Sequence, residues 1–192
     1  MTNVFLFHGI DSHPFDNYQG WLRDQLEPMG CRVIAPQFPT PEGQTLDNWL
    51  REFDKHSQFL DENTLIDGHS AGALLALRVL PRYQVRIRAA FMNAAYIGVP
   101  PKVSYQGQET FEREPYNWEV IKNRSQAFHV FYSDNDEQIS PGNGILLARN
   151  LEVEPILVHG AGHFNLQSGY GPFPMLLEKM MPYIALPEIP AR

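Results

Sequence analysis

Gly68-His69-Ser70-Ala71-Gly72 sets a hydroxyl between two glycines, with Thr64-Leu65-Ile66-Asp67 before it and Ala73-Leu74-Leu75-Ala76-Leu77 after it. Strand, sharp turn and helix is the setting in which the serine of a G-x-S-x-G motif becomes a nucleophile. The turn forces the serine into a strained backbone conformation that neighbouring Cβ atoms would obstruct, and glycines remove those atoms. The helix that follows aims its first N–H groups and the positive end of its dipole at developing negative charge, with the Ala71 amide as one donor.

A serine hydroxyl attacks weakly until a base takes its proton, and the base needs a carboxylate to orient it. Of seven histidines, His163 is the candidate base. Gly160-Ala161-Gly162-His163-Phe164 forms a flexible loop just past a strand-like run, from which an imidazole reaches back over the strand ends. His129 lies within a strand pattern, and His13 and His56 sit in polar surroundings without a motif. His69 belongs to the elbow and is directed away from Ser70, and His159, closing the last strand, is a weaker rival. For the acid, Val130-Phe131-Tyr132-Ser133-Asp134-Asn135-Asp136 sets two carboxylates beyond another strand. Asp136 is favoured because a turn beginning at Ser133 brings the later carboxylate round to the histidine. Asp134 stays open as the alternative, its other role being to cap the turn.

The tetrahedral intermediate of acyl transfer needs two or more donors at its oxygen. Val4-Phe5-Leu6-Phe7 runs into His8-Gly9-Ile10, which offers the Ile10 amide as the second donor beside Ala71, with Asp11 as the alternative to Ile10. Gly9 lets the backbone approach a substrate closely. Tyr96, Trp118 and Phe164, with Ile10, are candidate walls of an apolar acyl pocket, and each suits the core equally well. Such chemistry requires no metal and no organic cofactor.

Strand-like runs rich in β-branched and aromatic residues recur at 4–7, 32–35, 64–67, 89–93, 127–132 and 155–158. Between them, Leu46, Trp49, Leu50 and Phe53 share one helical face, Trp21, Leu22 and Leu26 mark another helix, and 71–80 a third, ended by Pro81. This alternation predicts an α/β fold: a mostly parallel sheet of about six strands with helices on both faces, whose sites lie beyond the carboxyl ends of the strands. Ser, Asp and His then follow in the chain order of an α/β-hydrolase. Residues 94–116 lack periodicity and are the candidate for a partial lid, with no room for a separate cap domain. The proline-rich stretch 182–190 is expected to trail from the last helix.

A length of 192 residues fits one domain spanning 1–192. With 43% hydrophobic and 19% charged residues the chain has the material for a core. The formal charge of -7 lacks the basic footprint of a nucleic-acid binder. Residues 1–10 are a poor signal peptide, and no run reaches the ~20 apolar residues of a membrane helix. A cytoplasmic protein without membrane partners is expected. Cys31, the single cysteine, excludes an internal disulfide and reads as a packing residue.

With these residues in hand, the chain resembles the small cap-less serine hydrolases related to retinoblastoma-binding protein nine and the bacterial YdeN-like proteins. The likeness is carried by His8-Gly9 followed by Trp21-Leu22, by Pro36, Pro39 and Pro41 before Trp49-Leu50, and by Asp61-Glu62-Asn63-Thr64 ahead of the elbow. Glu114-Pro115-Tyr116-Asn117-Trp118 and Gly162-His163-Phe164 add to it. The resemblance implies a triad on Ser70, Asp136 and His163 that opens small carboxylic esters or related acyl bonds through an acyl-enzyme. Tyr18 stands where a tryptophan is commoner, which bears on the pocket wall, and Glu137 where a proline is commoner, which bears on the acid turn. The partner-binding name of the related family raises one alternative, a protein-binding module with vestigial activity. The sequence does not identify a protein partner.

Overall fold

The computed structural model describes residues 1–99 and 101–184. Strands β1 (Asn3–Phe7), β2 (Arg32–Ile34), β3 (Leu65–His69), β4 (Ile87–Asn93), β5 (Ser125–Ser133) and β6 (Pro155–Val158) form one sheet in the order β2-β1-β3-β4-β5-β6. Every pairing is parallel. Helices α1 (Tyr18–Leu26), α2 (Leu46–Asp54), α3 (Ala71–Arg82), α4 (Trp118–Lys122), α5 (Pro141–Leu151) and α6 (Pro174–Met180) make the crossovers and the final cover. The chain runs from β1 outward to β2, then returns to place β3 on the other side of β1. The carboxyl ends of β1 and β3 are therefore the switch point where an open parallel sheet forms its crevice.

Alternation along the strands sorts the core into two layers. Phe5 and Phe7 of β1 pack with Phe38, Trp49, Phe53 and the helix α3, whereas Val4 and Leu6 pack with Tyr18, Leu22 and Leu26 of α1 and with Leu176 and Met180 of α6. Burying each such large side chain contributes about 1.5–3 kcal/mol. Cys31 lies in the second layer, and burial pushes its thiol up and away from reactivity. Asn117 caps α4 through Oδ1 and the Val120 amide at 3.1 Å, and Pro141 opens α5, where a missing N–H is harmless.

One helix boundary differs from expectation. Helix α3 does not stop before Pro81 but continues to Arg82. A proline in the last turn forfeits one bond near an end that is already fraying, which is cheaper than breaking a buried helix. Among the described residues of 94–116 there is one short 3-10 turn, Gln108–Phe111, and the stretch that follows it is pinned. The Arg78 guanidinium donates to the carbonyls of Phe111, Glu114 and Pro115 and lies 3.8 Å from the centre of the Tyr116 ring. Pro182 falls in the short turn Met181–Tyr183, and the rest of the expected tail lies outside the described residues. Among the described residues, no helix is long and apolar enough to cross a membrane.

Candidate active site

Ser70 occupies the turn between β3 and α3 with φ 55 and ψ -120, a conformation that L-residues adopt only under constraint. Its amide donates to the Asn93 carbonyl at 2.8 Å, and its carbonyl accepts from Ala73 at 3.0 Å, so both flanks of the turn are tied down. The two glycines are required by contact. A Cβ on Gly68 would stand 2.6 Å from Ala73 Cα, and one on Gly72 only 2.2 Å from the Phe7 carbonyl oxygen. The start of α3 thereby closes on the end of β1, bringing Ala71 and Gly9-Ile10 to one cleft.

That cleft has a volume of about 220 Å³ and contains Ser70, Ala71, Ile10, His163 and Tyr96. The segment 101–108 covers it with Pro101, Val103, Tyr105 and Gln108. The carboxylate nearest the histidine is Asp136: its Oδ2 lies 2.8 Å from His163 Nδ1, and both residues are buried. Asp136 Oδ1 accepts from the Gln138 and Ile139 amides at 2.7 and 2.9 Å, which closes the acid turn with Glu137 in place. Lys102 of the covering segment donates to the Asp136 carbonyl at 2.6 Å.

Asp134 is engaged elsewhere. It pairs with exposed His159 at 2.7 Å and accepts from the Gly160 amide at 2.9 Å, and these two partners hold its carboxyl below the usual range. Beside it, Ser133 Oγ accepts from the Ala161 amide and Asn135 Oδ1 from the Gly162 amide. The loop bearing His163 is thus stapled to the turn bearing Asp136 along its whole approach.

Two of the expected pocket walls stand outside the cleft. Trp118 opens α4, packs against the core and lies 5.1 Å from the Tyr116 ring. Phe164 takes φ 51, which turns its side chain under α6, where it stacks on Phe173 at 5.1 Å. Val103, Ile139 and Ile10 supply apolar lining instead, and Asp11, Asp16, Asn17 and Asn165 are among the polar residues of the same cleft. Tyr18 is wholly buried beneath the site rather than part of its wall.

Three buried residues were not assigned a role by sequence reasoning. His8 Nε2 accepts from the Phe38 amide at 3.0 Å, so its Nδ1 carries the hydrogen donated to the Gly9 carbonyl at 2.7 Å. Burial lowers the His8 pKa to about 4, which keeps that tautomer neutral. His69 Nε2 bonds the His163 carbonyl at 2.8 Å, and burial brings its pKa down to about 3. Asp67 lies three residues before Ser70 and is also fully buried. The His8-Gly9 pair was the one local signal; the other two contacts join distant segments. Among the described residues, no group of three His, Cys, Asp or Glu side chains is arranged to hold a metal ion.

Known proteins resemble the chain over most of its length. The rat serine hydrolase RBBP9 is 29% identical over 149 residues, covering 77% of this chain and 78% of its own. The ydeN gene product of B. subtilis superposes with a TM-score of 0.89 at 21% identity, covering 95% of this chain and 98% of that one. A YdeN-like hydrolase of Pectobacterium atrosepticum gives a TM-score of 0.68 at 20% identity, over 97% and 94% of the two chains. These likenesses identify the cap-less α/β-hydrolase fold. The model of the serine hydrolase family matches residues 4–181. An elbow serine at the sheet's switch point is thus found in a chain that belongs, over nearly all of its length, to the serine hydrolase family.

Proposed function

We propose that the chain hydrolyses small carboxylic esters through an acyl-enzyme on Ser70, with His163 as general base and acid and Asp136 as its orienting carboxylate. The observation that carries this reading is the buried Asp136–His163 hydrogen bond at the cleft that Ser70 lines. His163 Nε2 takes the Ser70 proton as Oγ bonds to the carbonyl carbon, and the proton then passes to the departing alkoxide. Water repeats the sequence, its proton going to His163 and its oxygen to the acyl carbon, and Ser70 is regenerated. Ala71 and Ile10 are the proposed oxyanion donors. The Asp11 amide already donates to Thr40 Oγ1 at 2.8 Å, which favours Ile10. Tyr96 and Ile10 bound the acyl side of the cleft.

Labelling with a fluorophosphonate tests the reading. The native chain should be modified and Ser70→Ala should not, and p-nitrophenyl esters of increasing acyl length should be turned over faster than matched amides. A native chain that resists the probe overturns the proposal.

A further inference from the structure

The elbow is braced from beneath by a carboxylate that this chemistry does not use. Asp67 is wholly buried in β3, and its neighbours across the sheet are Leu6 and Phe91. Its oxygens accept from Asn93 Nδ2 at 2.7 Å, Gln19 Nε2 at 2.9 Å and Tyr18 OH at 3.2 and 3.4 Å. Burying a carboxylate in an apolar sheet is unfavourable even when its bonds are satisfied, so the explanation lies in what its donors hold.

Each donor has a second attachment at the site. Gln19 Nε2 also donates to the Phe7 carbonyl at 3.1 Å, at the end of β1 from which Gly9 and Ile10 continue. The Asn93 carbonyl accepts the Ser70 amide at 2.8 Å. The Tyr18 ring stands edge-on to His69 at 5.7 Å, and His69 bonds the His163 carbonyl. One carboxylate therefore joins the segments that carry the nucleophile, the proposed oxyanion donor and the base.

We infer that Asp67 is a positioning residue of the Ser70 site, whose ionised carboxylate keeps the elbow, the Gly9-Ile10 backbone and the His163 loop in register. The inference rests on the hydrolase reading above. Two amide NH₂ groups and a phenol all direct hydrogens at Asp67, an arrangement that an ionised acid accepts in full. A proton on either oxygen would face a donor or turn the Tyr18 hydroxyl, which itself accepts from Asn93 Nδ2 at 3.0 Å. Burial pushes the Asp67 carboxyl up to about 7, with the bonds from Gln19, Tyr18 and Asn93 pulling the other way. The groups facing it from α1, β1 and β4 are the Tyr18 phenol, which burial and Asp67 keep protonated, the Gln19 and Asn93 amides and the Phe7 carbonyl. His69, beyond the Tyr18 ring, is neutral. The carboxylate thus gains and loses its proton in the range where a histidine base works.

The test is the fluorophosphonate labelling rate of Ser70 as a function of pH, from about 5 to about 9. Ionisation of Asp67 adds one proton to those whose loss labelling already requires, so the native acid limb should be steeper by about one logarithmic unit per pH unit than that of a chain without this carboxylate. Asp67→Asn should show that shallower limb and a lower plateau. Superimposable native and variant profiles overturn the inference. If Asp67→Asn does not fold, Tyr18→Phe removes one donor from the carboxylate and should move the acid limb upward by about half a pH unit or more; an unmoved limb overturns it equally. A native chain that is never labelled overturns the hydrolase reading and this inference with it, whereas labelling with matched profiles overturns this inference alone.

Discussion

At the scale of single residues, the two aspartates of the acid turn make opposite predictions. Asp136→Asn leaves the fold of the turn largely intact but presents the wrong hydrogen-bonding partner to His163 Nδ1. We expect kcat for an ester substrate to fall by about a thousandfold or more. Asp134→Asn alters an exposed pair with His159 and should leave kcat unchanged, because its partners lie outside the cleft. Steady-state kinetics of the two variants on one ester decides the assignment, and equal losses would refute it. The choice between these carboxylates could be reasoned from the turn but not closed, since both stand within three residues of the same strand end. What separates them is the set of side-chain oxygens of 133–135 that accept from the amides of 160–162, a contact between segments about two dozen residues apart that leaves no local pattern.

At the scale of elements, the join between β1 and α3 leaves no room for a side chain at Gly72. Gly72→Ala would drive a methyl into the Phe7 carbonyl, with no flexible side chain there to yield. A loss of about 3 kcal/mol or more is expected in urea denaturation, together with loss of labelling at Ser70. The strands were legible from their apolar and β-branched content, even β2 and β6, which are only partly buried: the six strand runs read from the sequence fall on the six observed strands, with ends differing by up to two residues. Trp118 and Phe164 stayed undecided between pocket wall and core for a related reason. An aromatic next to a motif reveals hydrophobicity, but only the left-handed φ at Phe164 and the start of α4 determine which way those rings turn. The end of the 94–116 connection shows a third limit, since the carbonyls of Phe111, Glu114 and Pro115 are held by Arg78, more than thirty residues away in sequence.

At the scale of the whole molecule, the buried titratable groups set opposing trends of stability with pH. His8 and His69 have folded pKa values of about 4 and about 3 against 6.5 when exposed, so the unfolded chain binds more protons below pH 6.5 and stability is lost as pH falls. Asp67 acts in reverse. With a folded value of about 7 against 3.8, it stays protonated in the fold while the unfolded chain has ionised, so its contribution is lost as pH rises through that window. Two histidines against one aspartate leave a net gain of about 1.4 kcal/mol per pH unit between about pH 4 and 6.5. Asp67→Asn removes the opposing group and should raise that slope to about 2.7 kcal/mol per unit. Urea denaturation of both proteins at pH 5 and pH 6 measures the difference, and parallel slopes would contradict the assignment of a neutral folded Asp67.

The pairing of Asp134 with His159 beside that of Asp136 with His163 gives the protein its own internal reference. The two couples join the same pair of loops at 2.7 and 2.8 Å, yet the His159 side chain is 79% exposed and that of His163 only 6%. Diethylpyrocarbonate should therefore acylate His159 first without inactivating the chain, and activity should disappear only with a later, slower phase. The same two imidazoles, followed by nuclear magnetic resonance in one sample, would separate what an aspartate does to a histidine from what dehydration does to it.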